Sequence, residues 1–193
     1  WQVIFYEGNH PLWLYCIHTG KVKISKLGDE GKEQVVRFAG SGELLGYRSV
    51  LSEDSYKATA TAMEDSYICH IAKDRFFEVL GTNTRFSLEL IRMLSGDLKN
   101  SEQQLINISQ KPVRERLAEA ILILKEKFGL KNDNLTLNIS LTRREIGDIA
   151  GTSTETTIRT LSDFNKEKVI ALNGKKILIL NPDLLVKIAN IYD

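Results

Sequence analysis

The spacing of apolar residues changes once along this chain, near residue 84, and that change limits the possible folds. From Val3 to Ile71 the apolar residues come in short runs of period two, which is typical of strands. From 84 to 110 the alternation gives way to spacings of three and four residues. A sheet domain followed by a long helix is therefore expected, and the fold class is α+β.

The strand-rich half contains many short runs separated by glycines, and this pattern predicts a β-roll of the jelly-roll type. The stretch GDEGKE at 28–33 predicts one of its hairpin loops, because Gly and Asp favour tight turns.

The long helix carries an apolar seam with spacings of 3, 4, 3, 4 and 3 residues. Its positions are Ile91, Leu94, Leu98, Ser101, Leu105 and Ile108. Such a seam can pack against its own domain or against a second copy of the chain. The helix is long and has no partner helix of equal length in the sequence, so we favour a homodimer.

The second half opens at Lys111-Pro112, where proline should end the long helix and start another. The stretch PVRERLAEAILILKEKFG predicts an amphipathic helix that ends at Gly129, and LTLNIS at 135–140 predicts a short strand.

A helix-turn-helix pattern follows. Thr142 and Glu145 have capping-box spacing at the start of the first helix, which should turn Ile146, Ile149 and Ala150 inward. Gly151-Thr152 predicts the turn. Ser153 should cap the second helix, which we expect to bury Ile158, Leu161 and Phe164. A hairpin with Asn173-Gly174 as its two-residue turn completes a winged helix.

The exposed face of the second helix should hold Thr154, Glu155 and Arg159. In a DNA major groove, Arg can pair with guanine and Glu can accept from cytosine. The alternative is an ordinary solvated salt bridge between Glu155 and Arg159, which are four residues apart. Other side chains are expected on the DNA phosphates: Thr142, Arg143, Arg144, Ser153, Thr156 and Lys175.

Composition gives weaker limits. Residues 1–110 hold 12 Lys and Arg against 14 Asp and Glu, and residues 111–193 hold 14 against 11, so the basic excess accompanies the winged helix. The apolar runs AILIL and ILIL are far shorter than the ~20 residues of a membrane span. The chain lacks an initiator Met, so we expect residues upstream of Trp1.

Enzyme and metal chemistry have little support in the sequence. No His-x-His pair, phosphate loop or Ser/His/Asp pattern is present, so no catalytic residue, metal ligand or cofactor is predicted. His10, His18 and His70 are isolated and are expected at the surface or packed in strands. Cys16 and Cys69 lie in apolar strands, where inert buried thiols are expected and a redox switch is the alternative.

These motifs resemble the cyclic-AMP receptor protein and Fnr superfamily of bacterial transcription regulators. The resemblance rests on FYEGN, the spaced glycines, GDEGKE, the long helix and TRREIGDIAGTSTETTIRTL. It implies a cyclic-nucleotide-binding-type β-roll, a dimerisation helix and a winged helix-turn-helix. By position it makes Glu155 and Arg159 the main base-reading pair, with Thr154 as a more variable contact. It also adds Asn173 to the phosphate side.

The chain departs from the family members that bind cyclic AMP. Those carry Gly-Glu for the ribose and Arg-Ser for the phosphate, whereas this chain has Gly46-Tyr47 and Lys57-Ala58. A Lys offers only a point charge where a guanidinium fork is expected. Cyclic AMP bound in the usual family mode is therefore not expected. Another effector could occupy a pocket formed by Gly46, Tyr47, Arg48, Tyr56, Lys57 and Ala58.

Taken together, the sequence predicts a β-roll at 1–83, a dimerisation helix at 84–110 and a DNA-binding domain at 111–193. The expected protein is a cytoplasmic homodimer that binds double-stranded DNA at an inverted repeat. An unidentified small-molecule effector and RNA polymerase are its other expected partners. A winged helix that binds protein, or a regulator without an effector, is the alternative. An iron–sulfur cluster would need cysteines upstream of Trp1, because only two are present.

Overall fold

The computed structural model describes residues 1–28 and 31–191, which divide into two compact units, Trp1–Glu102 and Gln103–Asp193. The strands are β1 (Val3–Phe5), β2 (Trp13–Thr19), β3 (Val22–Leu27), β4 (Glu33–Ala39), β5 (Leu44–Leu45), β6 (Thr59–Ala62), β7 (Tyr67–Ala72), β8 (Ile170–Asn173) and β9 (Lys176–Ile179). The helices are α1 (Tyr47–Leu51), α2 (Lys73–Thr82), α3 (Thr84–Gln110), α4 (Val113–Phe128), α5 (Arg143–Ala150), α6 (Thr154–Lys166) and α7 (Pro182–Ala189).

The first unit contains two antiparallel sheets with strand orders β1-β6-β3-β4 and β5-β2-β7. Both sheets contribute to one buried cluster, which includes Phe5, Ile17, Ile24 and Leu45. The alternation seen in the sequence arises because successive side chains of a strand point to opposite faces. The predicted β-roll is therefore confirmed.

The hairpin expected at GDEGKE joins β3 to β4, with Leu27 opposite Glu33. Asp29 and Glu30, which belong to that predicted loop, lie outside the described residues. The expectation that both cysteines are buried is wrong for Cys69, which is exposed, while Cys16 is half-buried. The cause is the position of β7 at the edge of its sheet, which leaves one side of the strand without a neighbour.

A second buried cluster lies on the other face of β2. It combines Leu14 with Tyr47 and Val50 of α1, Phe76 of α2 and Leu90 of α3. The long helix predicted at 84–110 is confirmed as α3.

The second unit contains the predicted break at Lys111-Pro112, since α3 ends at Gln110 and α4 begins at Val113. Gly129 ends α4 as expected, with a φ of 71° that suits glycine. The short strand predicted at 135–140 is wrong, because the segment forms only an isolated bridge between Thr136 and Leu178 and another between Leu137 and Leu130. Two backbone hydrogen bonds nonetheless tie the segment to β9: Leu137 N–H donates to the Ile177 carbonyl at 2.9 Å, and Ile179 N–H donates to the Leu135 carbonyl at 2.9 Å.

Helix α7 was not expected from the sequence. It begins at Pro182 after Asn181, whose side chain accepts a hydrogen bond from the Leu184 N–H at 3.0 Å. Asn as a cap followed by Pro in the first turn is a common helix start. Leu185 and Ala189 are its buried residues.

Candidate nucleic-acid interface

Helix α5 begins with the predicted capping box. The Thr142 hydroxyl accepts from the Glu145 N–H at 3.2 Å, and the Glu145 carboxylate accepts from the Thr142 N–H at 2.8 Å. Two backbone donors that the helix itself cannot satisfy are thus paired. Ile146 and Ala150 are buried and Ile149 is half-buried, so the inward face agrees with the prediction.

The turn between α5 and α6 depends on two glycines. Gly151 has φ 62° and ψ 47°, a left-handed conformation that glycine adopts without steric cost. At Gly147 an added Cβ would lie 2.6 Å from the Thr157 hydroxyl oxygen and 3.0 Å from the Thr152 carbonyl oxygen. The two helices can therefore approach this closely only because residue 147 has no side chain.

The buried face of α6 differs from the prediction in one position. Leu161 and Phe164 are fully buried, but Ile158 is 51% exposed and Thr157 is buried instead. At 100° per residue, positions 157, 161 and 164 fall within a narrower arc than 158, 161 and 164. The Thr157 hydroxyl donates to the Ser153 carbonyl at 2.9 Å, which satisfies its burial.

The N-terminal half of α6 presents the predicted base-reading residues. Ser153 caps the helix by accepting from the Thr156 N–H at 3.2 Å. Glu155 and Arg159 are exposed and Thr154 is half-buried. Hydrogen bonds from its own backbone N–H and from the Ser153 hydroxyl hold the pKa of Glu155 below its usual range. Within the described part of the chain, neither Glu155 nor Arg159 forms an ion pair.

The wing is the β8–β9 hairpin, and its turn lies one residue later than predicted. Asn173 pairs with Lys176, so the two turn residues are Gly174 and Lys175 rather than Asn173-Gly174. Gly174 has φ 56° and takes the left-handed position, while Asn173 ends the strand. Lys175 consequently stands in the turn itself, where it is exposed.

Arg143 joins α5 to this turn. Its Nη2 donates to the Gly174 carbonyl at 2.9 Å, and its buried Nη1 has no hydrogen-bond partner in the described structure. Burial of this guanidinium lowers the pKa of Arg143.

The other residues predicted on the phosphate side fall into two groups. Thr142, Ser153 and Thr156 make cap hydrogen bonds at the starts of α5 and α6. Arg144, Asn173 and Lys175 are exposed. Helix N-termini of this kind attract anions, because their free N–H groups and the helix dipole favour negative charge.

Comparisons with known proteins match this geometry. Residues 2–83 match the cyclic nucleotide-binding domain family, and residues 115–188 match the Crp-like helix-turn-helix domain family. Over 189 residues the chain is 30% identical to the fumarate and nitrate reduction regulatory proteins of Yersinia pestis and Escherichia coli K12, covering 97% of this chain and 75% of each relative. The chain belongs to the CRP/FNR family. It is a DNA-binding transcription regulator.

Solved structures agree with the fold of this CRP/FNR regulator. FixK2 from Bradyrhizobium japonicum superposes with a TM-score of 0.85 at 23% identity, covering 100% of this chain and 94% of that one. A CRP/FNR-family regulator from Thermus thermophilus gives 0.83 at 19% identity, with coverage of 100% and 96%. The family is not enzymatic, which confirms that prediction. None of the helices in residues 1–28 and 31–191 has the length and apolar character needed to span a membrane.

The residues predicted to form an effector pocket fall into groups with different neighbours in the described structure. Tyr56 packs in the cluster between the two sheets, stacks on Phe5 with ring centroids 4.1 Å apart, and donates its hydroxyl hydrogen to the Trp13 carbonyl. Ala58 packs against the same cluster. Gly46 has φ 78°, and a Cβ there would lie 2.8 Å from the Tyr56 ring. Tyr56 therefore fills the space beside this glycine.

The other pocket candidates face elsewhere. Tyr47 lies in the cluster beneath α3 and donates its hydroxyl hydrogen to Asp97 of that helix, while Arg48 Nη2 pairs with the same carboxylate at 2.7 Å. Burial raises the pKa of Asp97, but the hydrogen bonds from Tyr47 and Arg48 outweigh it, so the pKa lies below its usual range. Lys57 is exposed and pairs with Asp54 at 2.7 Å.

The predicted dimer seam is largely exposed along α3. Ile91, Leu98 and Leu105 are 58%, 62% and 69% exposed. Ser101 is also exposed. Leu94 packs partly against the cluster beneath the helix. Ile108 is 44% exposed and lies close to the helix-turn-helix turn, since a Cβ on Gly151 would stand 3.0 Å from its Cγ1.

Arg116 of α4 is a positioning residue that the sequence reading missed. Its guanidinium donates to the carbonyls of Ile108 (2.7 Å), Lys111 (3.0 Å), Ala150 (2.9 Å) and Gly151 (3.2 Å). It therefore ties the end of α3 and the following break to the turn of the helix-turn-helix. The signal was a charged residue four positions before the buried Ala120, on the edge of the apolar face.

Proposed function

We propose that this CRP/FNR regulator binds an inverted-repeat DNA site as a homodimer, with α6 of each protomer in the major groove. The observation that carries the proposal is the exposure of Glu155 and Arg159, neither of which forms an ion pair in the described structure, on a helix whose opposite face is fixed by Leu161 and Phe164. An α-helix fits the major groove of B-DNA, so these two side chains can reach base edges.

The two side chains have complementary chemistry. Arg159 can donate two hydrogen bonds to guanine, and Glu155 can accept one from the amino group of cytosine. In the described structure the two side chains form no ion pair with each other, which favours DNA reading over a self-satisfied salt bridge, since neither charge is neutralised by the other. The α5 and α6 caps and the wing residue Lys175 would fix the register through phosphate contacts, which carry no sequence information.

The homodimer is supported by the apolar seam of α3. Three large side chains that are more than half exposed, Ile91, Leu98 and Leu105, repeat along one helix with heptad spacing. In an isolated chain this row of apolar side chains would stay in contact with water. Burial against the same row of a second copy would remove that apolar surface from water and stabilise the dimer. Two recognition helices related by a twofold axis would then meet half-sites about 34 Å apart.

The regulatory input would differ from cyclic AMP in its usual family mode. The chain lacks the carboxylate and the arginine of that site, and Tyr47 and Tyr56 are packed with partners of their own. The β-roll would respond to a different effector or act without one. We place the protein in the cytoplasm, in contact with RNA polymerase, as expected for a regulator of transcription.

Selection from a random pool of DNA duplexes tests the proposal. Purified protein at near-physiological salt, without an added effector, should enrich a palindromic consensus. Affinity should fall steeply as salt rises, because phosphate contacts release counterions. If neither free protein nor protein supplemented with cell extract enriches a sequence, a winged helix that binds protein would replace this proposal.

Base reading by Arg159 has a matched test. Arg159→Ala should cost about 1–3 kcal/mol and relax the preference at one base pair per half-site. Lys175→Ala, in the wing turn, should weaken binding to all sequences alike. Equal losses on specific and random DNA for Arg159→Ala would contradict the assigned role.

The seam is tested by the oligomeric state. Leu105→Asp should shift the dimer towards monomer in sedimentation velocity, because it would bury a carboxylate in an apolar interface. Ile123→Asp on α4 is the matched control, since Ile123 is also exposed (49%) but lies outside the seam. Equal dimer dissociation constants for Leu105→Asp and the unmodified protein would refute the α3 interface.

A further inference from the structure

The two cysteines of this chain lie opposite each other although 53 positions separate them in sequence. Cys16 on β2 pairs with Cys69 on the antiparallel strand β7. The pairing is regular around them, from Trp13 opposite Ala72 to Ile17 opposite Ile68, and the register shift comes only after Ile17. Directly opposed residues of an antiparallel pair point to the same face of the sheet.

The hydrogen-bond pattern fixes the kind of pair. Ile17 directs both backbone groups towards the β5 side, since its N–H donates to the Glu43 carbonyl at 3.0 Å and its carbonyl accepts from the Gly42 N–H at 2.7 Å. The backbone groups of Cys16 must then point to β7, because the direction alternates along a strand. Cys16 and Cys69 therefore form a hydrogen-bonded pair, whose Cα atoms are about 5.5 Å apart.

The Cα–Cα separation lies within the roughly 4.4–6.8 Å usual for a disulfide, but the Cβ atoms of a hydrogen-bonded pair stand about 5.5 Å apart, whereas a relaxed disulfide needs about 3.8 Å. Closing the bond must therefore draw the two strands together locally, and the strained disulfide should be readily reduced. The thiols also differ in access, since Cys69 is exposed at the sheet edge and Cys16 is half-buried on the central strand between β5 and β7. One thiol can meet a reagent from solution, and the second stands beside it to complete the reaction.

We propose that Cys16 and Cys69 form an oxidisable dithiol that closes into a cross-strand disulfide. Its oxidant is a low-molecular-weight disulfide. The Cys69 thiolate attacks one sulfur of the oxidant, forms a mixed disulfide and releases one thiol. The Cys16 thiolate then attacks the Cys69 sulfur and releases the second thiol. Two protein thiols are oxidised, one oxidant disulfide is reduced to two thiols, and the two protons of the protein thiols pass to the released thiolates.

The test treats the full chain with oxidised glutathione and follows the intact mass without reduction. The chain should lose two hydrogens, about 2 Da, with both thiols lost together, and dithiothreitol should restore them. A peptide map should contain residues 16 and 69 in one linked pair. Cys16→Ser and Cys69→Ser should instead accumulate one glutathione adduct each, faster in Cys16→Ser because the remaining Cys69 is more exposed.

A matched control keeps two thiols but separates them. Cys69→Ser combined with His70→Cys moves the second thiol to the other face of β7, because successive residues of a strand alternate. His70 is exposed and packs edge-on against Trp13 with ring centroids 4.7 Å apart, so the change removes one ring contact but opens no buried cavity. This variant should accumulate glutathione adducts without the internal disulfide.

Three results would overturn the proposal. These are wild-type chains that keep both thiols, glutathione adducts in the wild type at the same level as in the single variants, or disulfides formed only between chains. Brief alkylation of the reduced wild type is independent of any substitution and should label Cys69 before Cys16. Equal labelling rates would also count against the assigned order of attack.

Discussion

Removal of the Arg116 side chain should loosen the helix-turn-helix while leaving the β-roll intact. The guanidinium donates four hydrogen bonds to backbone carbonyls, and the shortest two reach Ile108 at 2.7 Å and Ala150 at 2.9 Å. These carbonyls lie near the C-terminal ends of α3 and α5, where the helix dipole favours a positive charge.

The expected magnitude follows from these contacts. A hydrogen bond that involves a charged group contributes roughly 1.5–3 kcal/mol, and bonds made by one group are not additive. Water can satisfy part of the released carbonyls, because Arg116 is only half-buried. We therefore expect Arg116→Met, which keeps most of the aliphatic stem, to lower the free energy of local opening by about 3 kcal/mol. Arg116→Lys keeps the charge but not the fork and should recover about half of this loss.

Hydrogen exchange with peptide-level mass analysis is the appropriate assay. A loss of about 3 kcal/mol corresponds to roughly 150-fold faster exchange of protected amides in residues 141–166. Peptides from β2 to β7 should not change, and Trp1 and Trp13 give a fluorescence signal from the first unit alone. Lys166→Ala is the surface control, since that side chain is 74% exposed. Unchanged exchange at 141–166 in Arg116→Met would refute the reasoning.

Two further predictions concern close packing and ionisation. Gly147→Ala should lower the free energy of unfolding of the second unit by about 1–2 kcal/mol, measured by urea unfolding followed by circular dichroism, because the overlap with Thr157 costs more than the gain in helix propensity. Adding Thr157→Ala to the same chain should recover part of this loss. If the two substitutions instead lower the free energy of unfolding additively, the contact between residues 147 and 157 is contradicted. Burial raises the pKa of Tyr56 to about 12, above the usual value near ~10. The protonated phenol therefore contributes fully to the free energy of unfolding below pH ~10, and this contribution is lost as the pH rises from ~10 to ~12. Tyr56→Phe should remove one late-ionising phenol from the absorbance titration at 295 nm, and an unchanged curve would show that Tyr56 is not that group.

The features predicted correctly from sequence are those that local chemistry decides. The capping box of Thr142 and Glu145, the Ser153 cap and the bounds of α3 each depend on residues within a few turns of one another. At these positions the local preferences agree with the tertiary structure, so a prediction from the sequence alone gives the observed element.

The errors arise where residues far apart in sequence decide the outcome. Ile158 was expected inside, but the close approach of α5 at Gly147 turns Thr157 inward instead. Arg116 lies at the edge of the apolar face of α4, but that local pattern does not identify its four carbonyl acceptors. The pairing of Cys16 with Cys69 depends on the register of β2 against β7, which is set by packing of the whole β-roll.

The attachment of residues 135–137 to β9 has a consequence for solubility. A projecting two-stranded hairpin normally offers two rows of unpaired backbone groups, on which another chain can add as a strand. Here β9 has a neighbour on its outer side, and on β8 the Leu172 N–H donates to the Asn165 side chain at 3.2 Å. The wing can therefore extend into solvent with little of its backbone open to aggregation, which matters for a protein concentrated locally along DNA.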